Sequence, residues 1–330
     1  MRTLLGTKTN PKIGDRIIVR RLLPDTPGHL TDVIGHVLSL EPLTVRPQSV
    51  GGFVSDAAAV TIPAELIQAI KVLPPRRVRN SEIRAVEAAT AKAFPGIEHV
   101  WENGWLLRAG DGITERSNSA APLGSSAGLS PVPLEKIIAF YARHDLPARI
   151  LVPDRIGESA LRLARAEGWR FGPDIVIMTR TLSEPFELPD SLHMEITDQP
   201  DAEWLELYHF RGKPLPARAL ELLRTSIEGQ MSFGRIFSPS GQTIAITRGT
   251  LTEAPDGRQF LGYSAVEVAP AFRRQGLGTA LGKYMINWGI SHGATDAYLQ
   301  VLASNEAGIG LYEKLGFMEH HRHRYASQPS

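Results

Sequence analysis

The chain has 330 residues, 42% of them hydrophobic and 22% charged, with a formal net charge of +1 and no cysteine. That length fits two or three domains, and the near-neutral charge gives no global field for nucleic acid or an anionic membrane. The missing cysteines exclude a disulfide scaffold, thiolate metal sites and cysteine nucleophiles, and suit a reducing, cytoplasmic setting. The first residues, MRTLLGTKTNPKIGD, lack the apolar core of a signal peptide. No apolar run approaches the roughly 18 residues of a membrane span, so no membrane partner is expected.

In chain order, residues 1–76 read as a small all-β domain. DRIIVRRL and DVIGHVLSL are β-branched runs separated by the turn-rich PDTPGHLT. Pro74-Pro75 close the region. This strand rhythm resembles an SH3-like β-barrel.

The period changes over 78–182. SEIRAVEAATAKAF predicts a helix with Ser81 as its N-cap. HVWENGWLLRAG predicts a hairpin turning at Asn103-Gly104. A Gly/Ser/Pro-rich loop follows, then helix LEKIIAFYARHDL, strand ARILVP, helix ESALRLARAEGW and strand DIVIMTRTL. SEPFELPDS, residues 183–191, is a linker candidate.

Region 190–330 alternates again. HMEIT is a strand, while DAEWLELYHFR and ARALELLRTSIEG are helices. MSFGRIFS, QTIAITRGTL and FLGYSAVEV form three strands. A glycine loop opens a helix over 276–292. Strand AYLQVL, helix EAGIGLYEKL and a terminal strand pair end the chain. The last two regions share one rhythm, as an internal duplication would.

The loop FRRQGLGTALG carries the chemistry. Gly276 and Gly278 allow positive φ and close backbone approach. The first-turn amides of the following helix have no intrahelical partner, so they suit a phosphate, and Arg273 and Arg274 add charge. The dinucleotide pattern G-x-G-x-x-G/A fails at Leu281, and no P-loop string occurs. A phosphorylated ligand, a pyrophosphate above all, fits the loop.

The string VAPAFRRQGLGTAL resembles the coenzyme A motif of the GNAT N-acetyltransferase family, V-x-P-x-x-[RQ]-x-x-G-x-[GA], with Val268, Pro270, Arg273, Gly276 and Gly278 in place. LQVLASNEAGIGLYEKLGF resembles the family's second motif through Leu299, Val301, Asn305, Leu311, Tyr312, Gly316 and Phe317. Gly308 departs from the usual alanine and is expected to loosen its helix.

The resemblance implies an α/β (α+β) chain. A C-terminal GNAT fold with a mixed, mostly antiparallel, splayed sheet would follow a degenerate GNAT-like half and the barrel. It implies acetyl-CoA as co-substrate and no metal. The backbone of Val266 and Val268 would face pantetheine, with Asn305 on that side. Arg273, Arg274, Gln275, Gly276, Leu277, Gly278 and Thr279 would surround the pyrophosphate. Tyr312 would be the general acid. The splayed strand makes Glu267 the candidate base, since an amine of pKa near 10.4 must lose a proton at a cost of about 4–5 kcal/mol at pH 7. Gln300, where some members carry a glutamate, can bind substrate but not take its proton.

Tyr208, His209 and Arg211 lie on the expected acceptor side, and TERSNS offers Arg116 and Asn118 to a substrate carboxylate. HHRHR, residues 320–324, has His321 and His323 on one strand face, and a solvated basic strand is the expectation there rather than metal. The three-part layout is similar to actinobacterial proteins described as a corynebacterial type of N-acetylglutamate synthase, which implies a glutamate acceptor bound by arginines such as Arg116, Arg211 and Arg248. Two other readings are a tandem-GNAT enzyme for another small amine or a peptide N-terminus, as in mycothiol synthase, and a non-catalytic acetyl-CoA-binding regulator.

Overall fold

The computed structural model describes residues 11–23, 26, 28–48, 52, 55, 57–74, 78–210, 213–214 and 217–329, with side chains left out at 210, 213, 214, 217 and 219. Two compact units divide the chain at Arg77/Val78. The first holds β1 (Arg16–Leu22), β2 (Leu30–Leu40), β3 (Leu43–Pro47), β4 (Val60–Ile62) and β5 (Ile67–Val72). They form a five-stranded antiparallel sheet ordered β4-β3-β2-β1-β5. Alternation turns Ile17, Val19, Val33, Val37, Leu43 and Val45 inward, where they make its core with Ile62.

The second unit opens with α1 (Asn80–Ala93), β6 (Glu98–Glu102) and β7 (Trp105–Ala109). Next come α2 (Leu134–Ala142), β8 (Arg149–Pro153), α3 (Glu158–Ala166), β9 (Arg170–Phe171) and β10 (Ile175–Thr181). β11 (His193–Thr197), α4 (Ala202–Leu207), β12 (His209–Phe210), β13 (Lys213–Pro214) and α5 (Ala217–Ser226) follow. β14 (Gln230–Phe237), β15 (Thr243–Glu253), β16 (Gln259–Val268), α6 (Leu277–Ser291), β17 (Asp296–Leu302), α7 (Glu306–Lys314) and β18 (Met318–Ser327) complete it.

The β6–β7 hairpin turns where the sequence predicts, with positive φ at Asn103 and Gly104 as a tight primed turn requires. α1 is capped two residues earlier than expected. Arg79 is its N-cap, and the Arg79 N–H donates to the Glu82 carboxylate at 2.7 Å, so Ser81 lies inside the first turn. α4 stops at Leu207 because Tyr208 is already extended, with ψ 112°; Tyr208 and His209 therefore lie beyond the helix rather than on it. The terminal strand pair is one continuous ten-residue strand, β18.

One mixed sheet runs through the second unit in the order β11-β14-β15-β16-β17-β10-β18-β8, with β9 also on β18. Among the described strands of this sheet, only β16 and β17 pair in parallel. β10, from the 78–182 region, lies between β17 and β18, so the 183–191 linker joins two regions that share a sheet. α6 and α7 cover one face through Leu261, Tyr263, Met285, Leu299 and Phe317. α1 covers the other, packing Ala85, Val86 and Ala89 on Phe260 and Tyr298. The Thr252 hydroxyl donates to the Ala89 carbonyl at 3.0 Å. Strand exchange and this helix explain why 78–330 is a single compact unit.

The strand exchange overturns the expected solvation of the histidine run. His321 and His323 are buried, and both contact Glu87 Oε1 of α1, at 2.9 and 2.6 Å. His320 stands 2.7 Å from the other nitrogen of His321. Glu87, His321 and His323 have the ligand types of a metal site; both histidines bond Glu87 Oε1, and His323 Nε2 is left without a partner. Burial opposes the Glu87 charge, but the two histidines outweigh it and hold the carboxyl well below the usual range.

A carboxyl lowered in the fold stabilises it fully above its unfolded pKa, about 4.3, and loses that contribution as pH falls toward the folded value. Glu87→Ala is expected to lower unfolding free energy at pH 7 by about 3–5 kcal/mol, the cost of breaking a buried pair. In denaturant titrations its gap from the parent should narrow below pH 4.

Candidate active site

The site forms where β16 leaves β17. Pairing holds at Phe260–Asp296, Leu261–Ala297 and Gly262–Tyr298, and no further rung follows. A bulge bends β16 at this point: Ile246 faces Glu267 and Arg248 faces Ser264, leaving Ala265 and Val266 opposite Thr247 alone. Ala265 takes φ 56°, rare for a residue with a Cβ. The Thr247 hydroxyl caps the Ser264 carbonyl at 2.9 Å. Beyond the bulge, Ala269 N–H bonds the Ile244 carbonyl. N–H groups alternate sides along an antiparallel strand, so Val268 turns its N–H away from β15, into the gap. Its carbonyl accepts from Arg273 Nε at 3.0 Å.

The turn Pro270–Phe272 carries the chain from this strand to α6. Arg274 (φ 66°) and Gly276 (φ 80°) are both left-handed, and Gly276 is the N-cap. Among the described residues, the amides of Arg274, Gln275, Gly276, Leu277 and Gly278 pair with no acceptor, whereas Thr279 N–H bonds the Gly276 carbonyl at 3.0 Å. Five free N–H groups at the positive end of a 15-residue helix make an anion cradle. Arg273, Arg274 and Gln275 are exposed around it.

Tyr312 of α7 stands edge-on to Tyr263 and Phe317, at 6.0 and 6.4 Å between centroids. Burial, aided by the charge of Glu267, pushes its hydroxyl up to about 12. Glu267 is half-buried on β16, and burial raises its carboxyl above the ordinary value, with His209 and Arg273 offsetting part of the effect. Tyr312 on α7 thus senses the charge of Glu267 on β16, across the gap between β16 and β17. Asn305 is the N-cap of α7, and its Oδ1 accepts from Gly308 N–H at 2.9 Å. A Cβ at position 308 would lie 2.7 Å from Asn305 Nδ2, which accounts for glycine there.

The acceptor-side candidates separate. Asn118 is buried inside its own loop: Oδ1 accepts from Gly110 and Gly112 N–H, and Nδ2 donates to the Thr114 carbonyl. Engaged at both ends, it is a loop clamp rather than a substrate ligand. Arg116 is brought over the Phe94 ring at 4.3 Å, and Arg248 lies 5.3 Å from the same ring and 5.8 Å from that of Tyr208. Tyr208 is buried against Trp204. Gln300 lies on β17 with a buried, unpartnered Nε2. Arg211 is outside the described residues. Phe94, at the end of α1, is the residue that motif reading missed; an aromatic after a helix carries no sequence signal that two arginines will share it.

A bulged strand parting from its parallel neighbour beside a phosphate-binding helix start defines the GNAT class of acetyltransferase. The solved structures agree on the fold. A GCN5-related N-acetyltransferase from Kribbella flavida aligns with 75% of this chain and 95% of its own, at TM-score 0.56 and 16% identity. A tandem GNAT protein from the clavulanic acid biosynthesis pathway aligns with 74% and 88%, at TM-score 0.52 and 16% identity. The sequence family "Probable histone acetyltransferase Rv0428c C-terminal" matches residues 80–326, and "Rv0428c N-terminal Sm-like domain" matches 11–71. The Mycobacterium tuberculosis protein named "Probable histone acetyltransferase Rv0428c" is 35% identical over 96% of this chain and 95% of its own length. The Escherichia coli protein named "[Ribosomal protein bS18]-alanine N-acetyltransferase" is 33% identical over 38% of this chain and 78% of its own. The chain belongs to the Rv0428c family of GNAT-type N-acetyltransferases. Its small N-terminal unit matches an Sm-like domain, in keeping with the barrel-like reading.

Gly276→Ala puts a Cβ on a left-handed residue and should lower stability by about 1–2 kcal/mol. No atom lies within 4 Å of the new Cβ. Denaturant titration should therefore show this modest loss with cooperative unfolding retained.

Proposed function

We propose that the protein moves the acetyl group of acetyl-CoA to a primary amine by direct attack within the gap between β16 and β17. The observation that carries this reading is the alignment of three features: the parted strands, five free amides at the start of α6, and the Glu267–Tyr312 pair. Acetyl-CoA supplies the thioester. The backbone of Val266 and Val268 lies along its pantetheine, Asn305 stands on that side, and Arg273 to Thr279 receive its diphosphate. The Val268 N–H, aimed into the gap, hydrogen-bonds the carbonyl oxygen as negative charge develops on it.

Transfer forms an N–C bond, breaks the C–S bond, and moves one proton from nitrogen to sulfur. Glu267 takes the proton from the amine. Its carboxyl, raised by burial, is a better base than an ordinary glutamate. Tyr312 holds its proton throughout the physiological range. Complete transfer from a phenol near 12 to a thiolate of ordinary basicity, near 8.5, is uphill by about 5 kcal/mol. Tyr312 thus acts on the leaving sulfur first as a hydrogen-bond donor and yields its proton only as the site rearranges around the product. Gln300 hydrogen-bonds the acceptor.

The acceptor reading is a small-molecule amine, and the layout points to the α-amine of glutamate. A protein amine is the second reading, favoured by the names of the relatives from M. tuberculosis and E. coli. We place the enzyme in the cytoplasm on its lack of cysteine, and no described helix is long and apolar enough to cross a membrane.

Calorimetry should show coenzyme A binding; absence of heat at millimolar ligand would sink the reading. Tyr312→Phe is expected to lower kcat by about 10²-fold or more while coenzyme A affinity holds; an unchanged kcat would remove Tyr312 from the mechanism, and coenzyme A binding with no turnover in the parent would make the protein a sensor. A base works only when deprotonated, so kcat/KM of the parent should fall with pH along a limb set by Glu267, above 4.5. Glu267→Gln should abolish that limb in the pH–rate profile.

A further inference from the structure

Glu87 of α1 and His321 and His323 of β18 are 3%, 4% and 2% exposed. Two residues apart on one strand, the histidines share a face, and α1 brings a carboxylate to both. Glu87 Oε1 stands 2.9 Å from His321 Nε2 and 2.6 Å from His323 Nδ1, and the three atoms lie within 4.8 Å of one another. Among the described residues, no lysine or arginine is within ion-pair distance of Glu87. Arg108 senses its charge, but gives its N–H groups to Ser119 and to the Phe94 carbonyl. A buried carboxylate is costly without a counter-charge. Neutral imidazoles offer it hydrogen bonds but no charge.

Two imidazole nitrogens and a carboxylate are a donor set that suits zinc and its first-row neighbours. With bonds of about 2.0–2.2 Å, tetrahedral ligand atoms stand about 3.3 Å apart. The Glu87 oxygen therefore needs to retreat by only about half an ångström to admit an ion. Glu87 can use one oxygen or both, and both would make four donors. Each histidine must then carry its proton on its other nitrogen. For His321 that atom, Nδ1, stands 2.7 Å from His320 Nδ1, which supplies the outer hydrogen bond that a ligating histidine makes. For His323 it is Nε2, which has no partner, so nothing holds this ring in the tautomer that excludes metal.

We infer that Glu87, His321 and His323 bind one divalent first-row transition-metal ion, Zn²⁺ foremost, as a structural staple between α1 and β18. The ion supplies the charge that Glu87 lacks. β17 and β10 lie between β18 and the strand β16 that borders the gap, so the ion stands apart from the reacting atoms. Its work is to fix α1, whose last turn leads into Phe94. Glu87 lies 234 and 236 residues from the two histidines, so the site exists only in the folded chain and binding adds to stability.

The test uses the full chain without an added histidine tag, grown in medium containing Zn²⁺ and, separately, in medium depleted of it. Elemental analysis of the zinc-grown protein should find one zinc per chain. With free Zn²⁺ about 100-fold above its dissociation constant, that protein should melt about 5–10 °C above the depleted one. Glu87→Gln and His323→Gln should each abolish the bound zinc, whereas His292→Gln, at an exposed histidine, should keep it. Should the ligand variants fail to fold, the parent grown with Co²⁺ decides: it should show the strong visible absorption of a four-coordinate ion, with no sulfur band because the chain has no cysteine. A parent with no bound zinc and an unchanged melting temperature overturns the inference. So does a full equivalent of zinc retained by both folded ligand variants, which marks adventitious binding elsewhere, and so does the weak spectrum of six-coordinate cobalt.

Discussion

The site depends on one interruption: β16 and β17 hold together for three rungs and then part. Gly262 sits on the last rung, and a Cβ there would lie 2.8 Å from the Tyr298 hydroxyl and 2.4 Å from Thr250 Oγ1. The rung is therefore closed by a glycine that lets a tyrosine lie flat across it. Immediately afterwards the left-handed Ala265 inserts an extra residue and turns the strand. A strained residue of this kind persists only where its surroundings fix it. Thr247 does so through the Ser264 carbonyl, and Phe94, Tyr208 and Ile246 pack around it. The same bend points the Val268 N–H into the opening and delivers the chain, two residues later, to the turn that starts α6. The gap, the Val268 N–H that faces it and the free amides at the start of α6 thus follow from a single local departure from strand geometry.

A parted sheet is a weak sheet, and the rest of the unit compensates. β17 loses β16 as a partner over its second half, yet β10 pairs with it from Thr181–Asp296 to Ile175–Leu302. The 78–182 region therefore completes the C-terminal half as well as standing beside it. α1 lies under the same strands, bound by Thr252 and by the buried Glu87–His321–His323 cluster. This buried polar network is worth most when fully paired and ties a helix to a strand more than 230 residues away. It also places Phe94, the residue after α1, against the acceptor side of the gap.

What the sequence revealed follows from range. The phosphate loop was legible because its needs are local: left-handed glycine, a helix start, adjacent cations. The Asn103-Gly104 hairpin was legible for the same reason. The capping role of Asn305 was missed because its spacing to Gly308 read as part of a ligand motif, although an Asn three residues before a free helical amide is itself a cap signature. The burial of His321 and His323 was illegible, since alternating polar residues on a strand look solvated until the neighbours on both sides are known. Those neighbours, β10 and β8, come from a region whose own strands look like a separate sheet. Arg116 and Arg248 were visible as arginines, but their meeting over Phe94 required the fold.

The electrostatics of the gap fix the protonation states before any substrate arrives. Burial raises the Glu267 carboxyl, and His209 and Arg273 offset part of that rise. Its negative charge in turn helps hold the proton on Tyr312. The proposed transfer needs Glu267 as its ionised base and Tyr312 as its neutral donor. The coupling also runs forward. In the proposed transfer, Glu267 loses its charge as it takes the amine proton, and the repulsion that helps hold the Tyr312 proton weakens in the same step. Proton uptake on the nitrogen side therefore eases proton release on the sulfur side, without any group bridging the two.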